Sequence, residues 1–377
     1  MQKIFSSIAC NLDSNILIAS LPLFEQEKVE AIEWSFDTLF KYEEIPGWFL
    51  DLVTEFSNND RLIGHGVYFS LFSGKWLPEQ EVWLRNLKTF CQKFRFDHIT
   101  EHFGFMTGED FHKGAPISIP FTPTTLAIGI DRLKRIQDVC LCPVGLENLA
   151  FSYTLEDVKE HGNFLDRLVD SVNGFIILDL HNLYCQMHNF GLHYEDMINF
   201  YPLDKVREIH ISGGSWDENI TAKGGKIRRD THDESVPQEV FELLKSTIPK
   251  CPNLKFVVLE QLGTALESEL SRNIFQADFL QMDNIIKKTR LGSSEFCNDF
   301  MPTYPLTVNT VPLEDPLLYN QQLQLSSILE NAIDYRDAVE LLETSELKNS
   351  AWKVENWEPY MLETAMAIAQ KWRKGFN

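Results

Sequence analysis

Eight short apolar or β-branched runs, most of them followed by a stretch with helical spacing, constrain this chain more than any other feature. The runs are IFSSIAC, AIEWSF, RLIGHGVYFS, DHITEHF, PVGLENLAF, GFIILDL, VREIHIS and KFVVLEQ. Between them lie GWFLDLVTEFS, EVWLRNLKTFCQKF, TLAIGIDRLKRIQDVC, LEDVKEHGNFLDRLVDSV, YEDMINF, PQEVFELLKSTI and, after the last, ESELSRNIFQADFLQMDNIIKK, whose apolar positions recur three and four apart. Eight strand-helix units over about 290 residues is the count of a (β/α)8 barrel. Runs such as GFIILDL do not alternate cleanly, as expected of strands covered on both faces. An open doubly wound sheet is the alternative, but it usually carries a glycine-rich turn after its first strand, and IACNLDSN has none.

The expected architecture is therefore α/β, a TIM barrel over residues 1–290 with a C-terminal helical extension in 291–377. The segment LGSSEFCNDFMPTYPLTVNTVPLEDP is rich in turn formers and reads as an irregular crossing. The stretches LLYNQQLQLSSILENAIDYRDAVELLETSELK and WEPYMLETAMAIAQKWRKGF read as helical. They make an appendage suited to cap the barrel, to wall a substrate groove or to dock a partner.

Composition excludes several function classes. Against 34 Lys+Arg stand 55 Asp+Glu, a formal charge of −21. Such a field repels phosphate backbones, so nucleic acid is not expected as a ligand. No uncharged run reaches membrane-spanning length, and the first thirty or so residues lack the pattern of a secretory signal, so no membrane is expected and the reading is cytoplasmic. Seven scattered cysteines without a CxxC pair indicate neither a disulfide framework nor a thiolate zinc site. A glycine-flanked serine elbow and a phosphate-binding Gly-Lys-Ser/Thr loop are both missing, which disfavours serine hydrolase and nucleotide hydrolase chemistry.

The polar ends of the strands carry the chemistry. His65, His102, Glu147, Asp179, His210 and Glu260 fall at or just after the ends of six runs, and Asp230 and His232 lie two apart in the loop RRDTHDES. Barrel enzymes assemble their sites from the C-terminal ends of several strands. Imidazoles mixed with carboxylates suit iron, manganese or zinc, and several carboxylates favour more than one ion because they bridge. In LDLHN, alternation puts Asp179 and His181 on one side if the strand continues, so only one of His181 and Asn182 need be a ligand. Glu101, beside His102, is expected to face elsewhere.

HGVYFS, TEHF, GLENLAF, LDLHNLY, HNFG, IHISGG, DTHD and LEQ occur in an order that resembles the multinuclear non-haem iron-dependent oxidases, TIM-barrel relatives of the iron oxidase of methanobactin biosynthesis. The resemblance covers about residues 5 to 290. It implies two or three irons of mixed valence, with O2 as co-substrate, held by His65, His102, Glu147, Asp179, Asn182, His210, Asp230, His232 and Glu260. It further implies oxidation of cysteine in a ribosomally made precursor peptide, and a small partner protein that binds the leader of that peptide. His181 and His188 are additional ligands or supporting groups on the same basis. Three departures stand out: His181 replaces the first of a paired asparagine, Gly214 stands where the family has a histidine, and Gln261-Leu262 follow Glu260 in place of Trp-Asp. The competing functions are a divalent-metal sugar isomerase or epimerase of the xylose isomerase-like type and a non-catalytic binding barrel.

Overall fold

The structure is a computed structural model that describes residues 3–40, 42, 44–107, 114–289, 297–302 and 307–374. In chain order the elements are β1 (Phe5–Ala9), α1 (Ser14–Glu25), β2 (Ala31–Trp34), α2 (Gly47–Asn58), β3 (Leu62–Gly66), α3 (Pro78–Lys93), β4 (Ile99–His102), β5 (Phe105–Met106), β6 (Pro116–Ile117), α4 (Pro123–Cys140), β7 (Val144–Glu147), α5 (Leu155–Asp170) and β8 (Phe175–Asp179). There follow α6 (Leu180–Phe190), α7 (Tyr194–Ile198), β9 (Val206–Ile211), β10 (Trp216–Glu218), β11 (Lys226–Arg228), α8 (Gln238–Thr247), β12 (Phe256–Leu259), α9 (Glu269–Lys288), α10 (Pro316–Asn331), α11 (Tyr335–Glu343) and α12 (Pro359–Lys374).

The eight apolar runs become eight parallel strands that close as β1-β12-β9-β8-β7-β4-β3-β2. Closure leaves the barrel sheet no free edge, and the helices cover its outer face. Trp34 illustrates the cover: its buried ring meets Phe49 of α2, Phe90 of α3, and Phe94 and Phe96 of the following turn. Such aromatic pairs add about 0.5–1.5 kcal/mol each beyond burial. Inside, Ala31, Ile63, Phe256 and Val258 form their own small cluster, so the barrel is filled rather than hollow.

Strand register levels the functional positions. His102 pairs with Glu147, and Asp179 pairs with His210. The strand ends sooner in LDLHN than continued alternation would require. The strand in LDLHN does not continue past Asp179, because Asp179 caps α6: its Oδ1 accepts the backbone N–H of Asn182 at 2.5 Å. His181 and Asn182 thus occupy the first turn of a helix, and Asn182, three residues on, faces the cap. Helices α1 and α6 are elements that the apolar pattern alone did not mark.

The opposite end of the barrel is an ion network. Asp97, just before β4, accepts from Arg207 Nη2 at 2.8 Å, contacts His98 Nδ1 at 2.9 Å and pairs with Lys255. Burial alone would raise the Asp97 carboxyl, but His98, Arg207 and Lys255 outweigh it and hold it well below the usual carboxylate range.

The C-terminal helices α10 and α12 pack against each other and against the loops that leave the strands. Gln322 of α10 accepts from Gly74 N and donates to Phe72 O, both at 2.8 Å. Trp357 stacks on Tyr153 at 3.7 Å, Glu363 of α12 accepts from Thr221, and Trp352 meets Phe105 edge-on. The irregular crossing expected ahead of these helices lies partly outside the described residues, at 290–296 and 303–306. Among the described residues no helix is long and apolar enough to cross a membrane.

Candidate metal centre

His65, buried on β3, has its orientation and tautomer fixed by its neighbour. The Thr100 hydroxyl donates to Gly64 O at 3.2 Å, so it accepts from His65 Nδ1–H at 2.8 Å. The lone pair of Nε2 therefore faces inward. It lies 3.1 Å from His102 Nε2 and 3.5 Å from Glu147 Oε2, and His102 Nε2 is 3.2 Å from the same oxygen. Burial depresses the His65 pKa to about 4, leaving it neutral. Three donor atoms this close, on three adjacent strands, could hold one ion.

Glu147 joins this group to a second, with Asp179, His210 and Glu260. His210 Nδ1 lies 3.2 Å from Glu260 Oε2 and 3.6 Å from Glu147 Oε1. Asp179 Oδ2 has no hydrogen-bond partner, while its Oδ1 is committed to the helix cap. Asn182 donates through Nδ2 to Asn148 O at 2.8 Å, and its Oδ1 has no hydrogen-bond partner. Buried oxygens without partners are rare, and Asp179, which carries one, lies in the group with Glu147, His210 and Glu260.

The loop bearing Asp230 and His232 reaches the site because of Gly213 and Gly214. A Cβ at Gly213 would sit 2.1 Å from Ser235 O, and one at Gly214 would sit 2.2 Å from Arg229 O and 2.8 Å from His181 Cε1. The departure at Gly214 thus makes room for both the loop and the His181 ring. Asp230 Oδ2 is 3.0 Å from His232 Nε2, and His232 Nδ1 lies 3.9 Å from Glu260, linking the loop to the second group. His232 adopts φ +54, a left-handed conformation that is uncommon for a residue with a side chain. Arg228, which only donates, contacts His181 Nε2 at 3.1 Å, so His181 gives its Nδ1 proton to Asp230 at 2.9 Å. His181 is therefore engaged on both nitrogens. His188, exposed on α6, meets Trp216 edge-on at 4.4 Å and belongs to none of the groups.

Two acidic residues that sequence reasoning passed over enter here. Glu33 of β2 and Glu208 of β9 form a third group with His210, all buried. Glu208 was legible, since it sits two residues before His210 and so on the same side of the strand. Glu33 offered only the oddity of a carboxylate within an apolar run. Glu101 turns away, as expected, its Oε2 accepting from the backbone of His102 at 3.3 Å.

Electrostatically the centre is crowded with carboxylates. Burial opposes protonation of His210 and His232, but Glu260 and Glu33 around the first and Asp230 around the second raise both well above the ordinary imidazole value. Burial, with Asp230 and Glu147 nearby, pushes Asp179 well up. The imidazoles hold protons where a cation would satisfy the same carboxylates, and the nitrogen and oxygen donors fit a borderline transition metal.

A family profile described as RiPP precursor modification enzyme MbnB/TglH/ChrH matches residues 25–268, well over half of the chain. The chain belongs to this family of enzymes that modify ribosomally made peptides. Every candidate ligand, from His65 to Glu260, lies inside the matched stretch. A UPF0276 protein of Caulobacter vibrioides is 26% identical over 183 residues, covering 48% of this chain and 62% of that relative's own length. A UPF0276 protein of Alcanivorax borkumensis is 25% identical over 194 residues, covering 50% and 62%. Among solved structures, the IOLI protein with a bound zinc atom aligns at 14% identity with TM-score 0.49, covering 76% of this chain and 99% of that one.

Proposed function

We propose that this enzyme is a multinuclear iron-dependent oxidase that uses O2 to modify cysteine in a ribosomally made precursor peptide. The observation that supports the reading best is the continuous ligand field at the barrel rim, with unpartnered donor atoms on Asp179, Asn182 and His210, in a chain of the RiPP modification family. His65, His102 and Glu147 would hold one ion, and Glu147, Asp179, His210 and Glu260 a second. Asn182, Asp230 and His232 extend the field toward a third.

Iron bound there would supply redox chemistry with O2 and acidify a coordinated thiol. The chain's own residues orient that chemistry. Thr100 fixes His65, Asn148 fixes the Asn182 amide, and Arg228 with His181 fixes Asp230. A flexible precursor loses entropy on ordering, which is the reason to expect a small leader-binding partner protein. The seven cysteines are all free thiols, in keeping with a reducing, cytoplasmic setting.

The test is single-turnover mass spectrometry of iron-reconstituted protein with a cysteine-containing precursor peptide, in air and in strict anaerobiosis. The reading requires an O2-dependent mass change that maps to cysteine. Equal turnover without O2, or with zinc in place of iron, would overturn it.

A further inference from the structure

His210 faces two ways. Its Nδ1 looks toward Glu260 and Glu147, and its Nε2 lies 3.1 Å from Glu33 Oε2 and 3.5 Å from Glu208 Oε1. The two lower carboxylates are not equivalent. Glu208 is anchored from beneath, its Oε2 being 2.8 Å from His98 Nε2. Glu33 is 1% exposed, and the group that meets its carboxylate is His210, through the 3.1 Å approach of Nε2 to Oε2. A buried carboxylate without a partner is costly, and the group that stands against this one is the His210 ring.

A neutral imidazole that gives one nitrogen to an ion carries its proton on the other. With Nδ1 turned to the ligand group, that proton sits on Nε2 and points toward Glu33. We propose that Glu33 is a positioning residue of the metal centre, accepting the Nε2–H of His210 so that Nδ1 is presented to the ion. The assignment rests on the rim being a metal centre and not on which metal fills it. A carboxylate behind a ligating histidine fixes the ring and raises its basicity. Glu208, held by His98, limits how far the ring can tilt. The metal centre thereby draws on β2, a strand that contributes no ligand of its own.

Full-length protein, E33Q and E33A are prepared metal-free and titrated with Co2+ against a chelator, with the visible spectrum recorded at saturation. Circular dichroism checks that each is folded. E33Q is nearly isosteric, so its result stands if E33A does not fold. Wild type should bind Co2+, and both variants should bind it about 10- to 100-fold more weakly. Their Co2+ bands should shift, a readout that packing alone would not move. Nitrogen-15 spectra of the Zn2+-loaded wild type should show His210 protonated at Nε2. Unchanged affinity and bands in E33Q would overturn the assignment alone. A wild-type chain that takes up no Co2+, Zn2+ or Fe2+ would overturn the metal reading and this assignment with it.

Discussion

Asp97 and Glu147 are carboxylates of one barrel, with side chains 6% and 7% exposed. Asp97, at the entrance of β4, is met by Arg207, Lys255 and His98. Glu147, at the exit of β7, is met by three imidazoles, from His65, His102 and His210, and by no lysine or arginine among its ion pairs in the described residues. Permanent cations close the first site. The second is surrounded by bases that hold a proton or an ion interchangeably, so burial of the same group gives a structural clamp at one end and a receptive centre at the other.

The largest effect expected from this contrast is in Glu147→Gln. It touches two candidate ligand groups, so metal measured after desalting should fall to near zero and turnover by at least about 1,000-fold, while the fold persists because the imidazoles that face it can shed their protons. Asp97→Asn should do the reverse. Leaving Arg207 and Lys255 unmatched should cost about 3 kcal/mol in denaturant unfolding, with iron content unchanged in the folded fraction. If Asp97→Asn empties the candidate metal site or Glu147→Gln unfolds the chain, the contrast between the two ends is broken.

Metal and pH sharpen it further. His210 and His232 have folded pKa values raised above their unfolded ones. Their contribution to metal-free stability is complete below about pH 6.5 and is lost as pH rises through the folded values. Metal-free protein should therefore melt at lower temperature as pH increases above neutrality. Because a metal must displace those protons, apparent affinity should move oppositely and strengthen with pH. At 100 times its Kd an ion should add about 2.7 kcal/mol. Melting curves from pH 6 to 9, with and without Co2+, check both signs.

Smaller effects follow in the loop and beyond. Gly214→Ala must push the loop away from its seat, at about 1–3 kcal/mol, and should weaken metal binding through Asp230 and His232. His188→Ala, exposed against Trp216, should change stability by no more than about 0.5 kcal/mol and leave metal content intact.

The barrel was readable because buried parallel strands must be apolar on both sides, and all eight runs mark strands of the closed sheet. The candidate ligands at strand ends could be picked out because a rim imposes one offset on many strands. What escaped has a common cause. LDLHNLY is apolar enough to read as continuous strand, and only the hydrogen bond from Asn182 N to Asp179 reveals that a helix starts there. Glu33 escaped because its meaning lies wholly in His210, some 180 positions away in the chain and brought near only by closure. Seating of the Asp230 loop on two glycines is likewise a contact between backbones, which residue patterns do not record.

The grip of Gln322 on Phe72 and Gly74 bears on how this protein can be handled. A chain cut before residue 316 would keep every ligand and lose the groups that brace the loop after His65. The candidate ligands are consequently not a cassette to be lifted out with the barrel. Any transplant of the site, or any fusion that displaces α10, should be judged first by the position of that loop.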